Sequence, residues 1–452
     1  MKDSYMISNE TGRKLYGQVK DLPIIDYHCH LSPREIYEDE PFSNVGQVML
    51  GGDHYKWRVM RAAGIEEKRV TGSASWHDKF LAYAEALELA AGNPVAQWTR
   101  MELDAFFGVT EDLNRGSAER IWNACNAVIK REKMSPRKVM EKMRVQFVAT
   151  TDDPADSLAY HIALADDPGM KTRVAPSYRP DAALNLQAPG YPAYIARLSQ
   201  AAGMEIKDLA SLKQALCARL DFFKENGCRV TDIGLEAFPD KIGTDEEAEA
   251  ALKTALAGGK PDDALYRAFL GNLYVFLGRE YAKRGLIMQL HVAVTRSANT
   301  KLLRTVGADV GGDTMGTIDP KDLIRVLDAI EMAGGLPKTV LYAMNPALTP
   351  AMSAIAGSFP GVIVGAAWWM LDHKRGIREV VEIISETGYI GSFLGMLTDS
   401  RSFFSYPRHD YFRRIFCSLV GEWVEADEYP YEYAQRLVYA VCYGNVKKAM
   451  LE

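Results

Sequence analysis

PIIDYHCHLSP, residues 23 to 33, is a short apolar run closed by two histidines one residue apart and then by a proline. Runs of the same β-forming kind recur at 145–151 (VQFVATT), 172–177 (TRVAPS), 228–235 (CRVTDIGL), 285–291 (GLIMQLH), 338–345 (KTVLYAMN), 361–367 (GVIVGAA) and 392–398 (SFLGMLT), which makes eight. Between them lie amphipathic helical patterns such as DPKDLIRVLDAIEMAGG (319–335) and KRGIREVVEIISETG (374–388), each followed by a glycine that can stop a helix. Eight strands alternating with helices predict an α/β fold of the (β/α)8 barrel type rather than a doubly wound sheet.

The rhythm breaks once. Residues 34 to 144 are far more than one crossover needs. Patterns such as WHDKFLAYAEALELAA (76–91) and SAERIWNACNAVIKR (117–131) make that stretch a helical insertion. The expected organisation is therefore 1–33 as N-terminal segment and first barrel strand, 34–144 as insertion subdomain, and 145–452 as the rest of the barrel with its C-terminal helices.

Composition narrows the function classes. The 452 residues are 48% hydrophobic and 25% charged, with a net charge of −6, which gives no electrostatic case for nucleic acid but leaves a small anion open. The six cysteines are scattered singly, so they read as reduced thiols of a cytoplasmic protein. No signal-like segment opens the chain, and the longest apolar run, 361–371, is too short to cross a bilayer. No membrane partner is expected. Self-association into a homo-oligomer is expected only by analogy with other barrels.

In such a barrel the chemistry sits at the C-terminal ends of the strands. Those ends carry His28 and His30, then Thr151, Asp152 and Asp153, Arg179, Asp232, His291 with Arg296, Asn345, Trp368 and Trp369, and finally Asp399 and Arg401. Side chains two apart on a strand point the same way, so His28 and His30 can hold one cation. An isolated H-x-H is more often a hydrogen-bonded pair, but its place on the first barrel strand favours a metal. Asp399 is the expected third ligand, because the last strand of a barrel closes against the first.

Arg401, Arg179 and Arg296 converge on one rim and suit capture of a carboxylate, although Arg401 alone would read as structurally paired to a loop acid and Arg179 or Arg296 alone as part of a solvated loop. Asp26 is equally readable as structural or catalytic. The tryptophan pair can stack on a sugar or cover the barrel mouth, with packing slightly favoured. His54 and Tyr55 follow Gly-Gly-Asp in a loop of the insertion that can reach the opening, where a phenol could act as acid or base; an ordinary surface loop is the simpler reading.

Five motifs, DYHCHLSP (26–33), GGDHYKWRVMRAAG (51–64), MQLHVAVTR (288–296), AWWMLD (367–372) and TDSRSFFSYPRHDYFRRI (398–415), resemble those of uronate isomerases of the amidohydrolase superfamily. The resemblance runs from about residue 22 to the final helix. It implies an amidohydrolase-type barrel that interconverts an aldehyde hexuronate and its 2-keto isomer, D-glucuronate with D-fructuronate or D-galacturonate with D-tagaturonate, through a cis-enediol. It also implies one divalent metal ion, zinc or manganese, on His28, His30 and Asp399. Tyr55, Asp399, Arg401, His54 and Asp232 are the implied catalytic group, with Arg179, His291, Arg296 and Trp368 or Trp369 holding the substrate. The superfamily's carboxylated lysine has no counterpart on the fourth strand.

This chain departs from the family pattern where Ile233 replaces a histidine beside Asp232, at 297–300 after Arg296, and at 347–349 after Asn345. A hydrolase of the same superfamily is the main rival reading. There Asp399 would deprotonate a metal-bound water, and product analysis would separate the two.

Overall fold

The computed structural model describes residues 1–366 and 369–452. Nine strands are present among these residues: β1 (Ile24–Asp26), β2 (Val145–Ala149), β3 (Arg173–Ala175), β4 (Val230–Ile233), β5 (Ile287–Val292), β6 (Val294–Thr295), β7 (Thr314–Met315), β8 (Thr339–Ala343) and β9 (Val362–Val364). Seven of them pair in parallel, as β1-β2-β3 and β4-β5-β8-β9. Isolated bridges from Tyr178 to Asp152 and to Thr231 carry the ladder from the first arc to the second. Every residue of β5 and of β8 is buried, as expected of strands covered on both faces.

Helices occupy the intervals between these strands. The periodic stretch at 319–335 forms Pro320–Met332, started by the Asp319 side chain accepting from the Lys321 amide, and 374–388 forms Lys374–Thr387, started by His373 accepting from Gly376. The described residues between β1 and β2 contain no strand. They fold as seven α-helices and one short 3-10 turn, among them His54–Ala62, Trp76–Leu87, Pro94–Phe107 and Ala118–Glu132. No helix among the described residues is long and apolar enough to cross a membrane.

Two expectations need correction. The run 392–398 is not a ladder strand. Gly395 has φ +74°, and a Cβ there would lie 2.3 Å from the Val441 carbonyl oxygen. The Asn445 amide donates to the Gly391 and Phe393 carbonyls, so the backbone groups a strand would offer its neighbour are engaged elsewhere. The segment still closes on β1: the Asp399 amide donates to the His28 carbonyl at 3.1 Å and the His30 amide to the Ser400 carbonyl at 2.9 Å.

The second correction adds an element. β6 and β7 form an antiparallel hairpin beyond β5, a pairing not expected from the sequence, with residues 296–313 looping out between them.

Candidate active site

β1 ends just before the first functional side chains. His28 is buried and His30 partly so, and each turns Nε2 toward one oxygen of Asp399, at 3.2 Å and 3.0 Å. Asp399 adopts φ +45°, a conformation that L residues rarely take and that a rigid surround must hold. The Asp26 carboxylate helps to fix that corner by accepting from the Thr398 amide at 2.8 Å and from the Thr398 hydroxyl.

Burial alone would raise the Asp399 carboxyl, but hydrogen bonds from His28 and His30 hold it well below the usual carboxylate range. Burial also works against a charged His28; Asp232 and Asp399 outweigh it, so its pKa lies above the ordinary histidine value. Burial dominates at His30, which drops to about 4.

Ligand atoms of His28, His30 and Asp399 lie within 4.8 Å of one another. Two imidazole nitrogens and a carboxylate oxygen make a donor set that suits a divalent ion and leaves positions open for another oxygen ligand. A second group, His28, Asp232 and His291, is equally compact. There the Nη1 of Arg179 already sits 3.0 Å from Asp232, so a guanidinium meets the charge that a cation would need. The residues of the first group fit a metal better.

These side chains line a cavity of about 760 Å³, a volume suited to a small polar ligand. His291 and Arg179 form its next wall. His291 Nδ1 is 2.6 Å from Asp232 Oδ1, and Arg179 donates through Nε to Asp181 at 2.8 Å. Asp232 itself is fully buried behind them. Burial would raise its carboxyl, yet Arg179, His291 and His28 hold it far below the usual range. Burial lowers His291, with Asp232 opposing.

Strand alternation places Asp232 inward and turns Ile233 away into the core. The histidine that the family pattern carries at 233 would therefore start on the opposite face from Asp232.

Arg296 pairs with Asp313 at 2.7 Å and donates to the Gly234 carbonyl at 2.6 Å. Gly234 is constrained on all sides. Its amide faces Asp181 at 3.2 Å, and a Cβ would fall 2.4 Å from Arg179 Nη2 and 3.3 Å from Arg296 Nη2. Arg401 Nη2 lies 3.4 Å from Asp309.

The insertion supplies His54 at the first turn of the helix His54–Ala62, which the Asp53 side chain caps by accepting from the Tyr55 and Lys56 amides. His54 faces the cavity, and burial lowers it to about 4. Tyr55 stands one layer behind: its ring stacks on His54 at 4.8 Å and its hydroxyl donates to Asp372 Oδ2 at 2.8 Å. Burial, then the neighbouring Asp372, push the phenol well above its ordinary value, and burial likewise raises Asp372. The simpler expectation of a surface loop is thus overturned for both residues. Trp369 lines the cavity edge-on to His54 at 4.9 Å. Trp368 lies outside the described residues. Asn345 does not line the cavity; it caps the turn Pro346–Leu348 and donates to the Gly316 carbonyl.

Sequence reasoning missed Asp181, Glu236, Asp309, Asp313, Tyr191 and Tyr194, all of which line the cavity. The spacing Arg179-Pro180-Asp181 carried a usable signal, an acid two residues from a candidate arginine. Glu236, Asp309 and Asp313 sit in loops without periodicity, and Tyr191 and Tyr194 lie in the first turn of the helix Tyr191–Ala202.

A family model described as glucuronate isomerase matches residues 1–450. A uronate isomerase of Caldanaerobacter subterraneus is 43% identical over 460 residues, covering 100% of this chain and 99% of that one. Another from Caldicellulosiruptor saccharolyticus is 41% identical, covering 99% and 98%. Among solved structures, the uronate isomerase of Thermotoga maritima superposes with a TM-score of 0.95 at 30% identity, covering 100% of this chain and 99% of that one. The glucuronate isomerase of Caulobacter crescentus reaches 0.92 at 24%, covering 100% and 96%, and so speaks for the fold.

Proposed function

The chain belongs to the glucuronate isomerase family, and from that membership we propose that it interconverts an open-chain aldehyde hexuronate and its 2-keto isomer. D-glucuronate with D-fructuronate, and D-galacturonate with D-tagaturonate, are the expected pairs. The observation that carries this reading is that His28, His30 and Asp399 meet in the same cavity as Arg179, Arg296 and Arg401. A cation site beside three guanidiniums matches a small sugar that ends in an acid.

The reaction needs a proton moved from C2 to C1 and a second one exchanged between the two oxygens. Asp399, kept ionised by His28 and His30, is the base for the carbon-bound proton. His54, kept neutral and facing the cavity, exchanges the proton at the substrate oxygens, with the Tyr55 ring stacked behind it. Asp232 holds His291 and Arg179 in place, and Arg179 with Arg401 receives the acid end. A divalent ion, zinc or manganese, on His28, His30 and Asp399 would supply Lewis-acid polarisation of a substrate oxygen.

The test is turnover of D-glucuronate and D-galacturonate by metal-loaded protein, with product identification by mass and NMR. A ketose of unchanged mass is expected. Two fragments from an amide or ester substrate, or no turnover of either acid, would overturn the proposal.

A further inference from the structure

The three cavity arginines are not equally committed. Arg179 pairs with the fully buried Asp232 and with Asp181. Arg296 pairs at 2.7 Å with Asp313, whose side chain is 7% exposed. The partner of Arg401 is different in kind: Asp309 is 59% exposed and its oxygen is 3.4 Å away, well beyond a tight charge-assisted hydrogen bond.

Asp309 sits at φ +58° in the loop between β6 and β7. That loop's backbone is anchored to the helix bearing His54, because Arg58 donates to the Gly311 and Asp313 carbonyls at 3.2 and 3.1 Å and Arg61 to the Val310 carbonyl. Gly311 lies so close to His54 that a Cβ would be 2.9 Å from its carbonyl oxygen. The anchoring holds main chain. It leaves the Asp309 carboxylate, which lines the cavity, with a loose hold on the Arg401 guanidinium, which lines it too and is 35% exposed.

We propose that Asp309 is a stand-in for the substrate carboxylate, covering Arg401 until a hexuronate arrives and yielding to its acid group. This rests on the reading of Arg401 as an acid-binding residue. The exchange is like for like, carboxylate for carboxylate, and the incoming one can take Arg401 in the two-pronged geometry that the single 3.4 Å contact does not use. Asp309 therefore sets apparent affinity rather than chemistry. An exposed pair of this kind is worth little, so its removal is read as a change of about two- to five-fold in affinity.

The experiment compares the metal-loaded parent with Asp309→Asn, Asp309→Glu and Arg401→Met, and with Asp309→Asn placed in the Arg401→Met background. Dissociation constants for D-glucuronate and for acetate are measured by calorimetry, and KM and kcat by steady-state assay. Asp309→Asn is expected to tighten both ligands and to lower KM by about two- to five-fold, with the change in KM rather than kcat. Asp309→Glu should resemble the parent, and the asparagine change should have no effect once Arg401 is methionine. Weaker or unchanged D-glucuronate binding by Asp309→Asn would overturn the proposal, as would the same tightening in the Arg401→Met background. Absence of D-glucuronate turnover by the parent would count against the isomerase reading alone, since the dissociation constants still decide the role of Asp309.

Discussion

Gly234→Ala isolates the proposed acid-binding wall, Arg179 and Arg296, from the His28, His30 and Asp399 corner. The new methyl carbon would start 2.4 Å from Arg179 Nη2, so that guanidinium has to retreat by about 1 Å to reach ordinary van der Waals contact. Arg179 cannot retreat without loosening its 3.0 Å contact to Asp232 or its 2.8 Å bond to Asp181. Arg296, 3.3 Å from the same carbon, is crowded while still bound to the Gly234 carbonyl. One charge-assisted bond is worth about 1.5–3 kcal/mol, which corresponds to roughly a 10- to 100-fold rise in KM for D-glucuronate. The displaced atoms are side-chain ends facing a cavity, so the melting temperature should fall by only a few degrees. Steady-state kinetics with D-glucuronate, alongside thermal melts of the same samples, reads both quantities. A KM within two-fold of the parent would refute the view that Gly234 exists to let two guanidiniums approach the backbone.

Replacing Asp399 by Asn keeps its shape and removes its charge; kcat should drop by about 10²- to 10⁴-fold in samples whose metal content is measured, and retention of a tenth of parental kcat would count against Asp399 as the base. Asp152 offers a test of pH linkage. Burial raises its carboxyl from 3.8 to about 7, with the Thr150 hydroxyl donating at 2.7 Å, His161 3.6 Å away and Asp156 adding repulsion. A folded-state pKa above the unfolded one means that this stabilising contribution is full below pH 3.8 and is lost as pH rises through 7. Asp152→Asn should therefore melt above the parent at pH 8 and lose most of that advantage at pH 5. At about 1.36 kcal/mol per pH unit the gain is capped near ~4 kcal/mol. Parallel melting curves at the two pH values would contradict it.

Much of this site was legible because strands impose period two and barrels gather strand ends. His28 and His30 point one way for the first reason, and Asp399 meets them for the second, even though its segment is not a ladder strand. What could not be read is whatever depends on loops and on side-chain partners. Tyr55 was placed at the opening from its neighbour His54, but adjacent residues at a helix start point about 100° apart, and Asp372 draws the phenol inward. The failure of 392–398 as a strand hangs on Gly395 and on Asn445, which is some fifty residues away in sequence. The acids Asp181, Asp309 and Asp313 were invisible for a deeper reason. An arginine motif announces positive charge, yet a cavity that left three guanidiniums uncompensated would be costly to fold, so each was bound to have an acid whose position no periodicity dictates. On the proposed reading, a sugar's acid is selected less by how many arginines line the wall than by how tightly each is already answered. On that measure Arg401, met by the exposed Asp309 at 3.4 Å, is the residue where the proposed acid site is most ready to exchange one carboxylate for another.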